Sequence, residues 1–177
     1  MTGRSGDQGS GCLPGGGRSV FDQRSLDKMQ KKEQGIPVVI NLASLASYDG
    51  VHEDPMQMMT TGILIPQEKS SLLKYTESQE DEVTGEVMES EIQLVMAKDQ
   101  VTMHRMGEFS NTMLFQRNKR YETTFHTPFG DLPMAVFSRD VWCEVGEQTG
   151  KVHLKYELSM QGAYASTNEL HLEYWAQ

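Results

Sequence analysis

The sequence holds no run of eighteen apolar residues, so no helix of it can cross a bilayer. Its N-terminus lacks the apolar stretch of a signal peptide. There are only two cysteines, Cys12 and Cys143, one among glycines and one in a strand-like segment. A disulfide framework needs more thiols than that, linking structured parts, so reduced thiols and a cytoplasmic location are expected. Basic charge is also scarce: 16 Lys and Arg stand against 25 Asp and Glu. The imbalance is uneven. Residues 1–35 carry six basic against four acidic side chains, and residues 36–177 carry ten against twenty-one, a net of −11. A body this acidic repels phosphate backbones and anionic lipid, so neither nucleic acid nor membrane is an expected partner. The charge leaves room for a homodimer.

Catalytic signatures are missing too. No serine sits in G-x-S-x-G, no H-E-x-x-H occurs, no glycine-rich phosphate loop precedes a helix, and the acidic run from Glu77 to Glu91 lacks the EF-hand pattern. His104 and His126 have no H-x-H or ligand-spaced carboxylate set beside them, and His153 and His171 fall on polar strand faces. Catalysis, a resident cofactor and a metal are therefore not expected. Cys143, without a neighbouring base, reads as an inert strand thiol.

What remains is short-period patterning. Residues 1–19 hold seven glycines and almost nothing to bury, which predicts disorder. Residues 20–35 have thin apolar content and predict at most a weak helix ending at Gly35. The two stretches form a flexible or weakly helical N-terminal extension, 1–35, ahead of one domain, 36–177. From Ile36 onward the apolar period becomes two. Ten segments follow: 38–45, 56–65, 71–78, 90–97, 100–106, 111–116, 120–127, 132–145, 151–160 and 168–175. They are divided by turn signals such as Asp49-Gly50, Lys98-Asp99 and Gly130-Asp131. No helix long enough for a crossover interrupts them, so neighbours should pair antiparallel, as a meander.

Alternation is cleanest late in the chain. Val152, Leu154, Tyr156, Leu158 and Met160 share one face, and His153, Lys155, Glu157 and Ser159 share the other. One buried face and one wet face mark a sheet around a single interior. A sheet of this width with open edges invites aggregation, and closure removes the edges. The expected fold is all-β: a closed antiparallel meander barrel of 8 to 10 strands.

Several short motifs stand in order along this barrel: Thr61-Gly62, Tyr75-Thr76-Glu77, Arg105-Met106-Gly107, Phe129-Gly130 and Tyr156. With "LLKYTES", "VTMHRMG", "HTPFGDLPM" and "KVHLKYELSMQG" they make residues 38–175 resemble the YwiB-like family. This is a domain-of-unknown-function family found mostly in Gram-positive bacteria. The resemblance implies a calycin-like (lipocalin-like) barrel and no established activity. Residues 1–35 have no counterpart in it. Pro133, inside the strand after the Phe-Gly turn, departs from the pattern and points to an edge or bulge.

Arg105 falls in step with Val101 and Met103, and Glu77 with Leu73 and Tyr75. Inward-facing, the two would form an Arg–carboxylate pair, either structural or anchoring a ligand. Ten methionines in the barrel segment suit a soft apolar cavity or ordinary core filling. The expected function is binding of a small, partly apolar or anionic molecule inside the barrel. The candidate pocket is Tyr75, Glu77, Arg105, Phe115, Tyr121, His126 and Tyr156. The alternative is a non-catalytic interaction module whose barrel is filled by its own side chains.

Overall fold

The computed structural model describes residues 35–52, 55–80 and 83–177. The expectations for the extension before Gly35 lie outside these residues. Eleven strands and no helix make up the described chain. They are β1 (Ile36–Tyr48), β2 (Val51–His52), β3 (Met56–Pro66), β4 (Ser70–Glu80), β5 (Val87–Ala97), β6 (Gln100–Met106), β7 (Asn111–Phe115), β8 (Arg120–Thr127), β9 (Gly130–Val145), β10 (Thr149–Met160) and β11 (Ala163–Ala176). All ten expected segments are strands, and the two-residue β2 is the addition.

All named pairings are antiparallel, in the spatial order β7-β6-β5-β4-β3-β1-β11-β10-β9-β8, with β2 beside β1. The first long strand thus pairs with the last, from Val38↔Ala176 to Ser47↔Thr167. The sheet comes round on itself with β7 and β8 at its two ends. These touch through one bridge, Ser110↔His126, with hydrogen bonds of 3.0 and 2.8 Å. The barrel is nearly closed, and its seam runs between two strands consecutive in the chain.

Turn chemistry sets the register where loops are shortest. Asp49-Gly50 (φ 48° and 80°) and Gln161-Gly162 (φ 51° and 81°) both take the positive φ that two-residue hairpins favour. After β8 the turn residues are Pro128 and Phe129, because Gly130 already pairs with Thr127. Pro133 lies just past the last β9–β10 pair, Met134↔Met160, and its carbonyl accepts from the Gln161 N–H at 2.8 Å. In an antiparallel strand the N–H and C=O of one residue face the same neighbour, so the missing N–H falls where pairing with β10 has stopped. The irregularities of register lie elsewhere, at Lys155/Tyr156 and Leu158/Ser159.

The expected alternation decides what is inside. Leu73, Ile92, Leu94, Val101, Phe115, Val136, Leu154 and Leu172 are fully buried in one continuous core, and no crossing layer is needed to cover it. Two glycines let large neighbours close in. A Cβ on Gly62 would stand 2.5 Å from the Lys74 carbonyl oxygen and 2.8 Å from Ile40 Cδ1. A Cβ on Gly150 would lie inside the ring of Tyr174, its cross-strand partner. The Tyr174 hydroxyl in turn donates to the Gly146 carbonyl at 2.9 Å. Gly62→Ala and Gly150→Ala should each cost about 1–3 kcal/mol through overpacking. Urea denaturation reads this directly, and an unchanged midpoint in either variant would show that the neighbour yields freely.

Candidate functional site

The polar constellation lies where β4, β6, β7, β10 and β11 approach one end of the barrel. Inward residues along β6 run Val101, Met103, Arg105, the first two buried and the third part-exposed. Along β4 they run Ser71, Leu73, Tyr75, Glu77. Both strands carry their apolar members deep and their charged member near the end, so the alternation itself delivers Arg105 and Glu77 to the same rim. One strand separates them: Ile92 of β5 pairs with both Tyr75 and Arg105.

Arg105 Nη2 donates to Glu77 Oε2 at 2.6 Å, with side chains 29% and 16% exposed. The Tyr75 hydroxyl donates to the other oxygen, Oε1, at 3.4 Å. Tyr156 is buried close by, and its ring meets that of Phe115 at 4.9 Å between centroids. Burial, with Glu77 nearby, pushes the Tyr75 phenol far above its ordinary range. Burial lifts Tyr156 to about 12, opposed by Arg105 and aided by Glu77. Both phenols therefore stay neutral at physiological pH, and Tyr75 donates to the carboxylate of the ion pair.

Two hollows meet at Arg105. The first, about 150 Å³, lies at the barrel end between Leu42, Ser44, Met56, Met103, Met113, Tyr156 and Asn168, with Glu77 and Arg105 in its wall. The second, about 630 Å³, is a groove over the seam, lined by His104, Arg105, Asn111, Thr112, Tyr121, Thr123 and His126 among others. Its origin is the β7–β8 hairpin. The single Ser110↔His126 bridge would set Met113 opposite Thr123 and Phe115 opposite Tyr121, yet the two strands do not pair along that length. Asn111 of β7, the cross-strand partner of Arg105, has a buried Oδ1 with no hydrogen-bond partner among the described residues.

Five of the seven expected residues, Tyr75, Glu77, Arg105, Phe115 and Tyr156, come together in this way. Tyr121 stands across the seam groove. His126 is exposed on the outer side, 2.8 Å from Asp131, so it borders the groove instead of entering the interior. Asn111, Asn168 and Ser44 were not anticipated. Asn111 is in step with Met113 and Phe115, and that parity was the available signal. Most of the interior is filled by side chains, and Cys143 is half-buried, its thiol 3.0 Å from the Ala97 carbonyl and raised in pKa by burial. Sequence spacing also gave no hint that His153, Glu169 and His171 converge on the outer face of β10 and β11.

A phenol that ionises less readily in the fold stabilises it below its ordinary value, and that contribution fades as pH rises through the folded value. For Tyr156 the window runs from 10.0 to about 12. Tyr156→Phe should therefore lose about 1 kcal/mol less than the parent between about pH 8 and pH 11, in denaturant titrations. Equal losses would mean Tyr156 ionises freely in the fold. For the ion pair, Arg105→Met and Glu77→Gln should be non-additive, with a coupling of about 1–3 kcal/mol given their partial burial. A coupling near zero would make the contact a surface one.

Residues 40–172 match a protein family described as a domain of unknown function, DUF1934. A comparison with curated proteins finds no match. Among solved structures, the crystal structure of the ywiB protein from Bacillus subtilis is similar, with a TM-score of 0.69 and 17% sequence identity over 81% of this chain and 94% of that one. At that identity the likeness concerns the fold alone, and it is the barrel and its meander that the two share. The family match spans nearly all of the described sheet, including both members of the Arg105–Glu77 pair: the chain belongs to the DUF1934 family.

Proposed function

We propose that the protein binds a small, partly apolar molecule bearing a carboxylate or carbonyl group, with Arg105 as its anchor. One observation carries the reading: Arg105 lines both hollows, and among the described residues its guanidinium hydrogen-bonds only to Glu77. An arginine has five N–H donors, so several are left for a ligand. Volume decides how the ligand sits. Pockets for drug-sized ligands run to about 300–1,000 Å³, so the end hollow of about 150 Å³ takes only a small group while the seam groove of about 630 Å³ takes a body. Tyr121 and Thr123 would flank that body, and Met103 and Met113 would adapt to the buried group.

The free Cys143 thiol and the sparse cysteines support a reducing, cytoplasmic setting. The net −11 over residues 36–177 supports a partner other than nucleic acid. A second reading rests on the unpaired facing edges of β7 and β8: a strand from another protein adds into the seam.

Native mass spectrometry of protein purified from its own host should show a retained small molecule, and Arg105→Met should lose it while keeping its fold. Retention by the variant would dismiss Arg105 as the anchor. A co-purifying polypeptide displaced by substitutions at Thr112 and Thr124 would favour strand addition.

A further inference from the structure

On the outer face of the barrel, β10 and β11 place two histidines directly opposite one another, His153↔His171. Their rings lie 4.3 Å apart between centroids, tilted by 40°, and their Nδ1 atoms approach to 3.1 Å. Each far nitrogen faces a carboxylate. His171 Nε2 is 3.0 Å from Glu169 Oε1, and His153 Nε2 is 3.9 Å from Asp140 Oδ2. The four side chains thus form a row: Glu169, His171, His153, Asp140.

We infer that the His153–His171 pair is a binding site for a borderline divalent cation such as Zn²⁺, Ni²⁺ or Cu²⁺, taken by the two facing Nδ1 atoms. Two nitrogens about 2.0–2.1 Å from a tetrahedral metal lie about 3.3 Å from each other, close to the 3.1 Å observed. Small ring rotations bring both lone pairs to a common point. The carboxylates complete the arrangement, because a metal-bound imidazole normally donates its other ring N–H to an acceptor that fixes tautomer and orientation. Glu169 holds His171 with its proton on Nε2, so the His171 Nδ1 lone pair faces His153. Without metal, the His153 proton sits on Nδ1 and bridges the pair. With metal, neutral His153 carries that proton on Nε2 instead, toward Asp140, and no proton need be released. Imidazole donors select zinc, nickel and copper over magnesium and calcium, which require oxygen ligands. Water fills the remaining positions. The Lys155 ammonium, 3.7 Å from Glu169 Oε2, tempers the local negative charge without blocking either Nδ1.

Cross-strand placement also explains why the site is rigid. Leu154 and Leu170, adjacent to the two histidines, point inward and are buried, so the backbone beneath the pair is fixed by the core. His153 is half-buried and His171 exposed, which lets a hydrated ion reach them without opening the barrel.

The test is calorimetric titration of metal-free, full-length protein with Zn²⁺ and with Ni²⁺. One saturable equivalent is expected. His153→Ala and His171→Ala should each abolish it. Glu169→Gln, which keeps both ligands, should weaken it about 10–100-fold as a positioning residue does. Nitrogen NMR of the histidine rings should show the Nδ1 resonances of these two histidines moving on addition of Zn²⁺, with His52, His104 and His126 still. Because the substituted side chains lie on the outer face, unchanged circular dichroism confirms that the fold survives. Absence of saturable binding, or full binding by either alanine variant, overturns the inference.

Discussion

The barrel depends on one pairing, that of β1 with β11. Ten consecutive cross-strand pairs join residues 38–47 to residues 167–176. Every other named pairing of long strands links neighbours along the chain and could form as a local hairpin. The β1–β11 pairing cannot, since more than a hundred residues lie between its partners. It also turns an open meander into a barrel and so defines an inside. The burial of Val38, Ile40 and Leu42 against Leu172 and Tyr174 exists only once this pairing is made. Closing so long a loop costs entropy that local hairpins do not, which makes the contact slow to form and puts its benefit last in folding.

Once an inside exists, its polarity is graded along the axis. Toward the Tyr174 end the interior is filled by Val38, Val152 and Leu172, and the buried Tyr174 hydroxyl is satisfied by a backbone carbonyl. Toward the Arg105 end the same strand parity supplies Glu77, Asn111, Asn168 and Tyr156. An ion pair there keeps partial access to water, which moderates the desolvation that a fully buried pair would suffer. The Tyr75 phenol lends a neutral donor to the carboxylate side.

Strand existence was legible because period-two alternation reports directly on burial. Val152 to Met160 announced their faces from sequence alone, and so did Arg105 and Glu77, whose parity with Met103 and Tyr75 put them inside. Register was not legible. Whether Arg105 meets Glu77 depends on which β5 residue lies between them, and composition says nothing about that. His126 shows the limit: it was expected in the pocket, but parity with Glu122 and Thr124 puts it outside, on Asp131. The His153–His171 pair was invisible for a related reason. Its members lie eighteen residues apart, and only the two-residue turn at Gln161-Gly162 together with the irregularity at Leu158/Ser159 brings them opposite. The seam, too, escaped detection, because its strands look no different from those that pair.

That seam divides the sheet mechanically. Strands β1 and β3–β7 form one leaf, strands β8–β11 the other, and the β1–β11 ladder is their spine. Opposite the spine the leaves are fastened by the Ser110↔His126 bridge, by the chain turn at residues 116–119 and by side chains. The amides of β7 and β8 that face the gap have no ladder to protect them, so a parting of the leaves there breaks fewer backbone hydrogen bonds than one along the β1–β11 ladder. Arg105 belongs to one leaf and Tyr121 to the other. A molecule gripped by both would act as a clasp, and its affinity would be set as much by the work of holding the leaves together as by the contacts it makes.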